Sequence, residues 1–447
     1  MRKHSRNLAA CVAVIMAAAS LTACGGGSSE GGGKKLHVFI GSKAEYPQEH
    51  KAWMKRIKKK FKARTGADIT FETFSSPDQE QTKIQTSAVS GQGPDVYQIG
   101  TTFTPVAHAT KAFHKLTPED WKKLGGRDRF IPQSLTMSGP NPENEIGVPT
   151  GMRPYGMVYN KAMFEKAGIK SPPKTWDEFL SYAKRLNKPK DGVYGTALEF
   201  GDDFSPWKYI WSLTLQSGGG FINDDLTKSQ LDSPKTQEAV ESLFELHTEH
   251  KVVDPKSVGW EAAQSLSAFS SGKAAMLGMV TPGAVPTLEE SKVKDDYAFA
   301  PMPLVPFGEK QRPAGGKPAG TIVSGDDLAI ADYSENTDLA LEYIALVTSP
   351  EEQKHYSELF GELPTDEQAA REMAKDDPQV AAFLKAEETA LPTSFTGAWA
   401  DVQLGLGNVI TQSRPALARG TYDPAEVKKL LAQADKTVQS SIDRQKR

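Results

Sequence analysis

Cysteine is nearly missing from this 447-residue chain. It has two, Cys11 and Cys24, both close to the start. The body beyond them holds no disulfide, no thiol nucleophile and no Cys-based metal site, so it must rest on a large hydrophobic core. An excess of positive charge is missing too. With 53 Lys and Arg against 56 Asp and Glu, the net charge is −3. Nucleic acid is bound through basic faces, and this balance argues against it. Long apolar runs are confined to residues 8–19, so no later segment reads as a membrane span. Beyond the Gly/Ser-rich stretch at 25–33, three catalytic signatures are also missing: Gly-x-Ser-x-Gly, His-Glu-x-x-His and the phosphate loop Gly-x-x-x-x-Gly-Lys-[Ser/Thr]. What remains is an ordinary globular composition of a length that suits about two or three domain-sized units.

The first feature present is a leader. Arg2, Lys3 and Arg6 form a positive n-region, and Leu8 to Ala19 follows without a charge. That run is short of the roughly 20 residues a membrane span needs and fits a signal-peptide core. Leu21-Thr22-Ala23-Cys24 resembles the bacterial lipobox. The resemblance implies a signal peptide over 1–23, cleavage before Cys24, and lipidation of its sulfur by diacylglycerol, with a palmitate-type chain on the freed amine. Two or three acyl chains anchor stably where one does not. Residues 24–34 read as a flexible Gly/Ser tether. Without the leader's basic residues the net charge falls to about −6.

Beyond the tether, strand and helix signals alternate. Leu36 to Ile40 is an apolar run of strand length. Trp53, Met54, Ile57 and Phe61 share one face of a helix that Gly66 ends, and the other face, from Lys55 to Lys62, reads as solvated and basic. Ala67 to Phe74 is a second strand, Asp78 to Ser90 a second helix, and Val96 to Ile99 a third strand. This order implies a parallel sheet with right-handed crossovers. Later, Val158-Tyr159 and Tyr194 to Phe200 are strand-like, and Ala162 to Ala167 is a short helix. Thr175-Trp176-Asp177-Glu178 is a capping box, and Ser233-Pro234, Ser349-Pro350 and Asp423-Pro424 are helix starts.

Certain segments go beyond element signals. They are Ser90-Gly91-Gln92-Gly93-Pro94-Asp95-Val96; Val148-Pro149; Tyr159-Asn160-Lys161-Ala162-Met163-Phe164-Glu165-Lys166-Ala167-Gly168-Ile169; Pro172 to Phe179; Phe269-Ser270-Ser271-Gly272-Lys273-Ala274-Ala275-Met276; Leu339 to Ile344; Thr348 to Gln353; and Leu363-Pro364-Thr365. In order and spacing the chain resembles the extracellular solute-binding proteins of ABC importers, in the group whose best-known members bind sugars. The resemblance implies a two-lobed α/β periplasmic-binding-protein fold of type II, with a flanked sheet in each lobe, a hinge between them and ligand in the cleft. Lobe 1 is expected over 35–147, completed by 305–349, and lobe 2 over 150–304, completed by 350–447. The crossings are expected near 146–150, 300–305 and 348–352. The motifs themselves report architecture, so function must be sought in the cleft.

Ligands of open sheets meet the loops after the strands' carboxyl ends. This points to Lys43 and Glu45 after the first strand, Thr102 after the third, Arg153 and Tyr155 after the Val148-Pro149 crossing, Asp202, Asp203 and Trp207 after the strand ending at Phe200, then Trp260, and Trp399 in a late Gly-rich stretch. Sugar hydroxyls ask for groups that donate and accept, and sugar C–H faces pack on aromatic rings. Arg153, Asp202 and Asp203 fit the first role; Tyr155, Trp207, Trp260 and Trp399 fit the second. The tryptophans can equally be core, Asp202-Asp203 a solvated turn and Arg153 a hinge ion pair.

The expected function is carbohydrate capture outside the cell and delivery to ABC permease subunits, by a monomer held to the outer face of the membrane through Cys24 alone, with no cofactor, no metal, no nucleic acid and no chemistry of its own. The alternatives are a peptide- or polyamine-binding protein, or a ligand-sensing lipoprotein, of the same fold. A glycosidase needs two carboxylates roughly 5 to 9.5 Å apart across a bond, and the adjacent pairs Asp202-Asp203, Asp224-Asp225, Asp326-Asp327 and Asp376-Asp377 do not signal that. His247 and His250 share a helix face and could reach one metal, but His247 also completes an apolar stripe.

Overall fold

The computed structural model describes residues 34–44, 46–202 and 205–445. The leader, Cys24, nearly all of the tether, Glu45 and Asp203 lie outside the described residues.

Two sheets organise the chain. The first has the order β2-β1-β3-β9-β4, from β1 (Lys35–Gly41), β2 (Asp68–Phe74), β3 (Val96–Gly100), β4 (Gly147–Met152) and β9 (Gly325–Ile330). β1, β2 and β3 pair in parallel, as the alternation with helices requires. β9 runs antiparallel between β3 and β4, so the sheet is mixed. Alternation along β1 covers both faces. Leu36, Val38 and Ile40 pack with Trp53, Ile57 and Phe61 of α1 (Pro47–Thr65), while Phe39 joins Tyr97, Ile99 and Ile84 of α2 (Pro77–Ser90) on the other side. Gly66, at φ 75°, closes α1 with its N–H on the Lys62 carbonyl. The basic face of α1 is only partly solvated. Arg56 and Lys60 reach Glu351 and Glu352 of the helix Pro350–Phe360, and Lys62 pairs with Asp68.

The second sheet, order β6-β5-β7, is antiparallel: β5 (Gly156–Asn160), β6 (Met276–Val280) and β7 (Tyr297–Ala300). One core beside it includes the aromatics Trp176, Phe179, Phe200, Trp207, Trp211, Phe244 and Trp399. Another packs Val158, Leu277 and Phe299 against Phe383. Residues 194–200 do not form the expected strand. They touch β6 and its approach through isolated parallel bridges at Tyr194 and Ala197. Between the bridges Gly195 gives its N–H to Asn187 Oδ1 at 3.3 Å and Thr196 its N–H to the Val252 carbonyl at 3.1 Å, so the ladder to β6 is broken there. The box at Thr175 is half formed. Its hydroxyl caps the Glu178 N–H at 3.0 Å, but the Glu178 carboxylate accepts from Lys174 N–H rather than from Thr175. His247 is buried with Nε2 3.0 Å from the Leu417 carbonyl, and no group of three metal-capable side chains occurs among the described residues.

The chain leaves the first sheet at Met152 and enters the second at Gly156, later than the 146–150 window. It returns through 301–324, where β8 (Thr321–Ile322) pairs with β10 (Ala390–Leu391). The third passage is Gly361 to Asp366, not 348–352. The helix Pro350–Phe360 still belongs to the first lobe, because Phe360 packs in its core and Glu352 is tied to α1. No helix among the described residues is long and apolar enough to cross a membrane.

Candidate functional site

Strand register fixes which ends face each other. In the first sheet Gly41, Gly100, Asp326 and Met152 lie at one edge, since Gly100 pairs with Asp326 and Met152 with Gly325. In the second, Gly156 pairs with Val280 and Met157 with Ala300, so these positions share an edge. Only Arg153, Pro154 and Tyr155 separate β4 from β5, a reach of at most about 14 Å. The two edges therefore confront one another across the passages, which is where ligands of open α/β sheets bind.

The first-lobe edge is a charge cluster. Arg153 donates Nη1 to Asp326 Oδ2 at 2.6 Å and Nη2 to Asp326 Oδ1 at 2.8 Å, a bidentate pair. Nη1 also reaches Glu362 Oε1 at 3.0 Å, and Nη2 the Gly325 carbonyl at 3.1 Å. Lys43 donates to the same Glu362 oxygen. Gln98 joins the cluster to β1, giving its Nε2–H to Asp326 at 2.6 Å and accepting Gly41 N–H at 3.1 Å. The three passages thus contribute Arg153, the Gly325-Asp326 end of the return, and Glu362. Close approach requires glycine here. A Cβ on Gly325 would lie 2.1 Å from the Gly151 carbonyl oxygen, and one on Gly151 would lie 2.7 Å from Glu362 Oε2.

The electrostatics follow from this pairing. Burial alone would lower Lys43 and Arg153, but Glu362 and Asp326 outweigh it and hold both cations above their ordinary values. Burial would raise Asp326, and Arg153 instead pulls it below the usual carboxylate range. Two acids behind the edge behave oppositely. Burial pushes Asp327 up to about 7 although Thr104 donates to it at 2.7 Å. It pushes Glu80 up to about 8 although the carboxyl accepts Gly100 N–H at 2.9 Å.

The second-lobe edge is more aromatic. Tyr155 is half-buried, its N–H on Thr321 Oγ1 at 2.9 Å, and Lys208 Nζ stands 5.0 Å from its ring centroid. Trp207 opens the helix Trp207–Gln216 and meets Trp399 edge-on at 5.9 Å. Gln216, at the helix's far end, accepts from Trp176 and donates to the Pro303 and Ala319 carbonyls at 2.9 and 2.8 Å, pinning the return passage to this lobe. Burial pushes Glu199, beside Lys208 and Asp202, up to about 7.

The structure brings Lys43 and Arg153 together through the shared Glu362 carboxylate, and Tyr155 with Trp207 through Lys208. Thr102 is buried beside the end of β3. Asp202 accepts Ser205 N–H at 2.7 Å, and half-buried Trp260 gives its carbonyl to Gly201 N–H at 2.8 Å, so both sit at the second-lobe edge. Trp207 and Trp399 are 0 % and 1 % exposed, which makes them the wall behind a surface rather than the surface. Trp399 also borders a cavity of about 870 Å³ that lies along the far end of its neighbouring helix, among Gly218 to Phe221, Lys235 and Lys317, away from the sheet edges. Sequence reasoning missed Asp326, Glu362, Gln98, Lys208 and Glu199. Asp326 was visible only as half of an uninformative acid pair, and Glu362 only as the neighbour of the Leu363-Pro364-Thr365 motif.

Residues 44–354 match the family model described as bacterial extracellular solute-binding protein. Over 356 residues the chain is 28% identical to the diacetylchitobiose-binding protein of Streptomyces coelicolor, covering 78% of each. It is 23% identical to the maltotriose-binding protein of Pyrococcus abyssi, over 78% of this chain and 72% of that one. Among solved structures, a maltose-bound binding protein of T. maritima superposes with a TM-score of 0.73 at 21% identity, covering 90% of this chain and 99% of the other. The maltotriose-binding protein of Thermus thermophilus gives 0.69 at 19% identity, covering 91% and 100%.

Proposed function

We propose, from the premise that this chain belongs to the bacterial extracellular solute-binding protein family, that it captures a carbohydrate between its two lobes and delivers it to the permease of an ABC importer. The observation that carries the reading is the pairing of unlike edges. One offers fixed donors and acceptors in Lys43, Arg153, Asp326 and Glu362; the other offers ring surface backed by Trp207 and Trp399. That combination suits a molecule with hydroxyls on its rim and C–H groups on its faces. The sugar ligands of the diacetylchitobiose- and maltotriose-binding relatives support it. Lys43, Thr102, Arg153, Tyr155, Asp202 and Trp260 are the proposed contacts, together with Glu45 and Asp203. Closure follows because a ligand touching both edges binds the closed state better than the open one. Cys24 is the proposed lipid anchor. Its short tether keeps a monomeric receptor at high local concentration beside the permease on the outer face of the membrane.

A thermal-shift panel of mono- and oligosaccharides, polyols, peptides and polyamines tests this. A saccharide at a hundredfold excess over its Kd should add about 2.7 kcal/mol of stability. If every saccharide leaves the melting temperature unchanged while a peptide or polyamine raises it, the carbohydrate reading is wrong.

A further inference from the structure

We propose that residues 392–397 form a clasp between the lobes, with Phe395 at its tip. The clasp holds the lobes closed and so sets ligand affinity without touching the ligand, a role that rests on the capture reading above.

A small apolar cluster stands apart from the large cores and draws on both lobes: Met137, Val323, Ala390 and Phe395. Met137 belongs to the first lobe, beside Ser138, whose carbonyl accepts the Ile146 and Gly147 N–H groups at the entry to β4. Phe395 comes from a stretch rooted in the second lobe. Just beyond it, the Thr396 hydroxyl donates to Gln445 Oε1 of the last helix at 2.9 Å, and Trp399 is buried in the aromatic core. From that base the Phe395 ring crosses to His108 of the first-lobe helix Thr104–Ala109 and meets it edge-on at 5.5 Å. Thr393 donates its hydroxyl to Met137 Sδ at 3.9 Å. Gly397 permits the approach, because a Cβ there would lie 3.3 Å from Ala109 Cβ.

Phe395, Gly397, His108 and Met137 lie outside all three passages, so a hinge rotation can part them without straining the connecting chain. The clasp also flanks the cleft. The helix Thr104–Ala109 follows directly from Thr101–Phe103 at the end of β3, and Trp399 meets Trp207 at the second-lobe edge. Opening the cleft therefore draws Phe395 away from His108 and Met137 and returns their apolar surface to water. The clasp favours the closed form whatever the ligand is. A ligand that binds the closed form then finds a larger fraction of the protein ready for it, and its apparent affinity rises by that fraction. Phe395 is in this sense a positioning residue, and its effect is the same for every ligand that closes the lobes.

The test uses the full-length protein, small-angle X-ray scattering without ligand, and calorimetric titration with maltotriose and with diacetylchitobiose. Phe395→Ala should increase the radius of gyration. It should weaken both sugars by a common factor of ~10 and leave the ratio of the two affinities as in the parent. Phe395→Leu, which keeps an apolar side chain at the tip, should restore most of both properties. Gly397→Val, which sets bulk against Ala109, should act in the direction of Phe395→Ala; should it fail to fold, the two Phe395 variants decide alone. An unchanged radius in Phe395→Ala overturns the proposal. So does an affinity that stays the same, tightens, or falls by different factors for the two sugars, the last because it marks Phe395 as a ligand contact. If neither sugar binds the parent, the radius still decides for or against the clasp, and only the carbohydrate reading loses its support.

Discussion

The first lobe spends its junction edge on charge and the second spends its own on rings. Arg153, Lys43, Asp326 and Glu362 are tied to one another around a mixed five-stranded sheet. Trp207 and Trp399 instead open two helices that meet beside the three-stranded sheet, and Tyr155 immediately precedes β5. The contrast separates two sources of stability. Ion pairs depend on pH and on both partners being present, whereas aromatic packing depends on volume and is nearly indifferent to either. It also suggests a division of labour, with orientation from one side and apolar area from the other.

The largest expected effect breaks the aromatic half. Trp176→Ala removes a fully buried indole that also donates to Gln216 at 3.0 Å. It should cost about 3–5 kcal/mol in denaturant unfolding. The loss should be the same at low and high salt. Next, Asp326→Ala strands Arg153 without its bidentate partner and should cost about 2–3 kcal/mol, less than a fully buried pair because Arg153 keeps some solvent. Here Asp326→Asn, which keeps the shape and one acceptor, should recover part of the loss; equal losses in both variants would show that the charge, which both remove, carries the whole effect.

Acidity acts on a paired and an unpaired buried carboxyl with opposite signs. Asp326 is held below its ordinary value, so its contribution is present above about pH 4 and is lost as the pH falls further. Glu387, at the end of the helix Pro378–Glu387, is pushed up to about 8 by burial, and neither of its oxygens has a partner among the described residues. The folded state therefore binds more protons than the unfolded one between about pH 4 and 8. Stability from this group falls as the pH rises through that window and levels off above it. Glu387→Gln should flatten the fall and leave the protein about 1–2 kcal/mol more stable than the parent at pH 8, measured by thermal melts across pH. The smallest effect sharpens the contrast with the buried cluster. Lys62→Ala removes an exposed pair with Asp68 at 2.8 Å and should change stability by less than about 0.5 kcal/mol.

Much of the first lobe was legible because its signals are local. The alternation in β1, the stripe on α1 and the αL glycine at 66 each depend on residues a few positions apart. The same holds for the proline-led helix starts at 234, 350 and 424. The segment 194–200 differs for a tertiary reason: its apolar composition suits a strand, but Gly195 and Thr196 give their N–H groups to Asn187 and Val252 instead of to β6. The third passage was placed early because a strong helix start at Pro350 reads as a boundary, while the packing that retains that helix in the first lobe involves α1, almost three hundred positions away.

By itself the sequence determined the class of fold, the order of most elements, the dependence on a core rather than on disulfides, and the neighbourhood in which Lys43, Arg153 and Tyr155 would be found. Only the tertiary structure decided what those residues do there. Arg153 meets Asp326 across 173 positions and Glu362 across 209, and Lys43 meets Glu362 across 319. No periodicity or motif spans such intervals, because the partners are chosen by where three passages converge and not by spacing along the chain. The same convergence buried Trp207 and Trp399, which the sequence offered as platforms and the fold uses as the wall behind them.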